Sequence, residues 1–203
     1  MLSEQFSAMI AGAKVLPLRY WDDPVLSVVC GKIEDSEFGS KLEEFGRELI
    51  ATMLDANGVG LAAPQVGVTK RMFVMEFPDH KEMKPIVVCN PAIKLVGATL
   101  PGNEGCLSLP GVRQQVYRAA EVWMRYQDPT GKHFEMPLIT AFDARVAQHE
   151  YDHLDGIMFF DYKDKREGFV TPEHPEPWGA RMSKQMSKSA LRDWEKEKRK
   201  RGL

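Results

Sequence analysis

Between residues 37 and 57 the apolar positions Phe38, Leu42, Phe45, Leu49, Ile50, Met53 and Leu54 recur at steps of three and four, and Asn57-Gly58 follows them. That spacing predicts an amphipathic helix with a C-terminal stop. Residues 15–29 read as extended chain with a turn at Asp22-Asp23-Pro24. Beyond the helix the pattern changes to short β-branched and aromatic runs, predicting strands over 71–77, 85–90, 93–95, 112–117, 121–126 and 133–138. Asp128-Pro129-Thr130-Gly131 supplies a hairpin turn before the last of them. Helical spacing returns over 140–155, with Phe142, Val146 and Leu154 among the positions expected to be buried and Gly156 after its end. A proline-rich run, Thr171 to Pro177, then separates this body from a polar segment expected to be helical from about Ala180. Antiparallel strands packed around one buried helix describe an α+β fold. The divisions expected are a main domain over 1–168, a linker over 169–179 and a basic tail over 180–203.

Composition narrows the class. An apolar fraction of 43% with four Trp and ten Phe in 203 residues supports one buried core. No apolar run approaches the length of a membrane span, and the N-terminus shows no export signal. Cys30, Cys89 and Cys106 are an odd, irregularly spaced set, which points to a reducing compartment and leaves a thiol for metal. Charge is unevenly placed. From Ala180 to Leu203 nine bases face three acids, giving +6, while the rest carries −8 of a net −2. Attraction to a polyanion therefore belongs to the tail.

The chemistry concentrates in Gln148-His149-Glu150-Tyr151-Asp152-His153. On a helix His149 and His153 project from one face and converge on a single cation, with Glu150 beside them to handle a proton. The plainer alternative is a polar helix whose histidines face water. Two histidines leave a third protein ligand to be found. A histidine six residues after the second would complete a metzincin-type pattern, but Phe159 stands there. Glu173 lies at a distance that thermolysin-like peptidases use, but within a proline-rich segment ill suited to a helix-borne ligand. The remaining candidate is Cys106, in Glu104-Gly105-Cys106-Leu107-Ser108.

Taken with Gly58-Val59-Gly60-Leu61-Ala62-Ala63-Pro64-Gln65 and the run from Gln148 to Gly156, this segment makes the chain resemble the peptide deformylases over residues 15–165. Each motif alone has an ordinary reading: a tight turn for Gly58 and Gly60, a small buried hydrophobe for Cys106. Their joint order and spacing carry the resemblance. It implies that Cys106, His149 and His153 bind one divalent cation, with Fe(II) typical and zinc, nickel or cobalt able to replace it. It also implies hydrolysis of the formyl group of formyl-methionine peptides, with Glu150 as the base. Gln65, through its side-chain amide, and Leu107, through its backbone N–H, match the donors to the reaction's oxyanion. Val59, Gly60, Gly105, Arg113, Phe142 and Val146 match the substrate path, and Glu104 with Arg118 matches an acid–base pair bracing the Cys106 loop. Gly102 departs from the family by replacing a larger apolar residue often found at the pocket. Arg145 recurs in some branches. Asp152 is open to several roles: orienting a ligand, holding Arg118, or a solvated or helix-capping one.

The partners implied are nascent N-formyl-methionine polypeptides, with no membrane and no DNA. The basic tail resembles the helices with which bacterial members reach the ribosome; a solvated end that aids solubility is the alternative. A cytoplasmic location is the simplest, with an organelle also open.

Overall fold

The computed structural model describes residues 8–78, 84–162 and 188–201. Its first long helix, α1, spans Ser40–Asp55. Five strands follow: β1, Gly60–Ala62; β2, Met72–Met75; β3, Ile86–Cys106; β4, Leu109–Gln127; and β5, His133–Leu138. They form one antiparallel sheet in sequential order, each paired with its neighbour along the chain. Helix α2, Ala141–Leu154, crosses the sheet, and α3, Lys188–Arg201, lies against β4. The α+β class holds, and among the described residues the antiparallel strands around the helix form a single sheet.

Period-two alternation in β2 explains why all four of its residues are buried. Phe73 and Met75 join Ala144, Val146, Ala147 and Leu154 of α2, whereas Met72 and Val74 join Leu49, Ile50 and Met53 of α1. The two helices therefore cover opposite faces of the sheet at this strand. A third cluster gathers Trp21, Cys106, Leu109, Val112, Val116 and Phe160, and Trp194 of α3 inserts into it. Trp21 packs edge-on against both Phe160 and Trp194.

Several boundaries move. The strands expected at 85–90 and 93–95 are one strand that continues to Cys106, and those at 112–117 and 121–126 are likewise one. Gly97, Pro101 and Gly102 break the alternating pattern without ending β3, because β4 pairs with it almost throughout. The pair bends at a register shift between Val96 and Thr99, where Gly97 has φ +76°. Its tip is tight: Cys106 pairs with Leu109, leaving Leu107 and Ser108 as the turn. Pro24–Ser27 forms a short helical turn, capped by Asp23, within the segment expected to be extended. Phe142 is 43% exposed, not buried, since it sits in the first turn of α2 where that helix begins at the surface.

Thr140 caps α2 by accepting from the Asp143 N–H, and Gly156, at φ +68°, follows its end with backbone of Ser27 so close that no Cβ fits. The proposed linker, the candidate ligand Glu173 and both interior domain boundaries fall outside the described residues. Helix α3 begins at Lys188, the first residue described after 162. Because Trp194 is its anchor, Trp194→Ala is expected to undock α3 at a cost of about 3 kcal/mol. Hydrogen exchange should show lost protection across α3 with α2 unchanged.

Candidate metal centre

Three parts of the fold meet beside α2: the tip of the β3–β4 hairpin, the end of β1, and the short turn Ala63–Val66 that follows it. Helix α2 is only weakly apolar, yet ten of its fourteen residues are buried, among them Gln148, His149, Glu150, Asp152 and His153. Buried polar groups need partners, and the helix finds them in the hairpin. Gln148 accepts from the Ala119 N–H and donates to the Ala119 carbonyl, tying α2 to β4 through one residue's backbone. Gln148 had no expected role, and its place beside the histidine pair is the one signal of it in the sequence.

Cys106, His149 and His153 converge, their ligand atoms all lying within 4.8 Å of one another. The Cys106 Sγ is 3.3 Å from the His153 Nε2. Thiolate and two imidazoles within such a span fit a divalent transition metal such as iron(II) or zinc. Phe159, where a metzincin would need histidine, stacks instead on the His149 ring at 6.0 Å between centroids. Burial pulls the His153 imidazole well below its ordinary value, and the neutral imidazole is the form that binds a cation.

Behind the ligands lies a buried ionic network. Arg118 donates through Nε and Nη2 to the two oxygens of Glu104, each at 2.9 Å, and through Nη1 to Asp152. Asp152 also accepts from the Tyr162 hydroxyl, and of the roles left open for it the one realised is holding Arg118. The His149 Nδ1 lies 3.0 Å from the Glu104 Oε2. Burial opposes ionisation of Glu104, but Arg118 and His149 outweigh it and hold the carboxyl far below its usual range. An ionised Glu104 can only accept, so Nδ1 of His149 carries the proton and donates to it, which leaves Nε2 for a metal.

Glu150 has a different environment. Its Oε2 is buried and has no hydrogen-bond partner among the described residues, and burial pushes its carboxyl up to about 7 against the opposing charge of His149. The side chain lies directly on Gly60: a Cβ there would come 2.4 Å from the Glu150 Oε1. Gln65, fully buried, accepts from the Ala62 N–H at 2.8 Å and donates to the Ser108 Oγ at 3.1 Å and the Cys106 Sγ at 3.4 Å. Leu107 forms the hairpin turn against Gly58, whose missing side chain leaves room for its Cδ1. Val146 is in the core beneath, and Val59 is half-buried at its edge. Gly105 and Arg113 are exposed near one another, and Phe142 lies at the surface on the same helix as the histidines.

The family model of polypeptide deformylase matches residues 15–168. The chain belongs to that family. A peptide deformylase of Thermus thermophilus is 40% identical over 177 residues, covering 80% of this chain and 90% of that protein. The crystal structure of a peptide deformylase from Legionella pneumophila superposes with a TM-score of 0.74 at 32% identity, over 93% of this chain and 98% of that one. A class I type b peptide deformylase from Acinetobacter baumannii, solved with Met-Ala-Ser bound, gives 0.67 at 37% identity, over 72% and 97% respectively. The chain is accordingly a deformylase, a metallohydrolase that removes the N-formyl group from nascent polypeptides. Among the described residues no helix is long and apolar enough to cross a membrane.

The unpartnered carboxylate has a measurable cost. Since the folded-state value of Glu150, about 7, lies above its ordinary 4.5, the folded protein holds the proton more tightly than the unfolded chain does. This contribution to stability is complete below about pH 4.5 and is lost as pH rises through about 7. In metal-free protein Glu150→Gln should therefore raise stability by up to about 3 kcal/mol above pH 7. Near pH 4.5 it should change little. Urea unfolding at the two pH values checks this.

Proposed function

We propose that this deformylase holds one divalent cation through Cys106, His149 and His153, with Glu150 as the base, and that Fe(II) is the native metal. The observation that carries the proposal is the convergence of those three ligands beside a buried carboxylate, one oxygen of which has no hydrogen-bond partner among the described residues. Zinc, nickel or cobalt would be accepted by the same donor set. When bound, the cation supplies Lewis acidity, lowering the pKa of water and polarising the formyl oxygen. Glu150 takes the proton of the attacking water at its carboxylate and gives it to the departing nitrogen. Water oxygen bonds to the formyl carbon, the carbon–nitrogen bond breaks, and formate leaves a free α-amine.

The negative oxygen of the tetrahedral intermediate requires donors already in place. Gln65 is suited to this, because the Ala62 N–H fixes its amide oxygen and so aims its NH2 at the hairpin tip. Leu107, in the turn beside Cys106, supplies the second donor from its backbone. The methionine side chain would rest among Val59, Val146 and Phe142. The exposure of Phe142 suits a wall at the pocket mouth better than a place in the core. Gly60 and Gly105 admit the peptide backbone closely, and Arg113 lies along its path. The Acinetobacter relative holds Met-Ala-Ser, a peptide beginning with the methionine that deformylation exposes.

Residues 1–168 form the catalytic unit in this reading, 169–179 a linker and 180–203 a ribosome-contacting tail. Arg192, Lys196, Arg199 and Lys200 are exposed at helical spacings of four, three and one, forming a basic stripe on α3. Lys198 is instead engaged with Asp22. A cytoplasmic site of action is the simplest for a nascent-chain substrate, with an organelle that has its own ribosomes also open.

Anaerobic, iron-loaded protein is expected to release formate from formyl-Met-Ala-Ser, and Glu150→Ala to lower kcat by about a thousandfold, within the usual contribution of a positioned acid–base group. A folded, metal-loaded protein that releases none would overturn the assignment. Gly60→Ala, which forces Glu150 to move, should cost about a hundredfold in kcat. Charge reversal at Arg192, Lys196, Arg199 and Lys200 should weaken ribosome binding and flatten its salt dependence, as sedimentation can measure.

A further inference from the structure

Arg145 sits four residues before His149 on α2, and both side chains end on the same carboxylate. Arg145 donates from Nη1 to the Glu104 Oε1 at 2.7 Å, while the His149 Nδ1 lies against Oε2. The helix thus grips one oxygen with a guanidinium and the other, a turn later, with a prospective metal ligand. The same guanidinium donates to two backbone carbonyls at 2.8 Å each, Val116 on β4 and Leu100 on β3. Arg145 therefore ties the histidine-bearing helix to both strands of the hairpin whose tip is Cys106.

Room for this comes from Gly102. A Cβ built there would stand 2.6 Å from the Arg145 Cζ and 2.7 Å from Nε and Nη2. The guanidinium lies where a side chain of residue 102 would go, and three bonds hold it there. The atoms in the way are the end of the Arg145 side chain, so a Cβ at residue 102 is accommodated only by breaking those bonds.

We infer that Arg145 is a positioning residue for the metal centre, acting through Glu104 on His149 and through the hairpin on Cys106, and that Gly102 is its obligatory partner. The inference rests on the assignment of Cys106, His149 and His153 as the metal ligands. Arg118 alone, with its fork on both oxygens of Glu104, fixes the carboxylate to β4. Arg118 also reaches α2 through Asp152, and Gln148 ties the helix to Ala119, but Arg145 joins the same carboxylate to α2 one turn before His149 and to both strands of the hairpin through Val116 and Leu100.

The test is Co(II) binding to the full chain without oxygen, read by competition with a chromogenic chelator and by the cobalt–thiolate absorption bands. Arg145→Met, Arg145→Lys, Gly102→Ala and the double variant Gly102→Ala/Arg145→Met would be compared, each checked for folding by circular dichroism. Arg145→Met is expected to weaken cobalt binding about tenfold or more, in the range for losing a partner behind a metal ligand. Gly102→Ala should do the same although residue 102 touches no ligand, and both should alter the thiolate bands. The double variant should bind no more weakly than Arg145→Met, because a single displaced guanidinium accounts for both losses. Arg145→Lys, which keeps the charge without the fork, should show a smaller loss in folded protein. Folded Arg145→Met and Arg145→Lys proteins that bind cobalt within twofold of wild type would overturn the inference, as would additive losses in the double variant. If wild type binds no cobalt, or Cys106→Ser binds it equally well, the ligand assignment itself is overturned.

Discussion

The carboxylate of Glu104 is the point on which the site depends. Buried, it accepts from Arg118 twice and from Arg145 once, and it faces the Nδ1 of His149. Withdrawing such charges from water is expensive, and an apolar cluster of equal volume is often as stable. The arrangement is neutral overall, with Arg118 and Arg145 against Glu104 and Asp152. Tyr162 closes it, donating to Asp152 while its ring lies 4.5 Å from the Arg118 guanidinium. What the network contributes is orientation: the tautomer of His149, and the placement of a helix against a hairpin.

The fold serves the same end by bringing distant segments together with little freedom. Cys106 is presented at the tip of a long two-stranded hairpin, in a two-residue turn that Gln65 and the Trp21 N–H both hold at Ser108. The histidines are presented by a helix whose burial is made tolerable by Gln148, Asp152 and Thr140. Opposite this rigid side lies Glu150, with an oxygen left without a partner. One carboxylate is tightly bonded and held ionised while the other is desolvated and raised toward neutrality. That contrast suits a pair in which one member orients and the other exchanges a proton.

Much of this was legible in the sequence. The 3.6-residue period located α1 and α2, and β5 was found with its ends intact, because the Asp128 turn and strict boundaries leave little choice there. The continuation of β3 through Gly97, Pro101 and Gly102 was not legible, since those residues argue locally against a strand and only pairing with β4 sustains it. Phe142 was misplaced because helical spacing says which face a residue shares and not whether that turn has reached the surface. Arg145 and Gly102 were each noticed as departures or variants, but their relation needs three dimensions: one fills the volume the other leaves. The anchoring of α3 by Trp194 was hidden within a segment that reads as a solvated basic end.

X-ray absorption at the metal edge of anaerobically loaded protein tests the central claim most directly. With zinc loaded, one sulfur at about 2.3 Å and two imidazole nitrogens at about 2.0–2.1 Å are expected, the sulfur being lost in Cys106→Ser. A site with no sulfur in the wild type, or with a sulfur that survives that substitution, would contradict it.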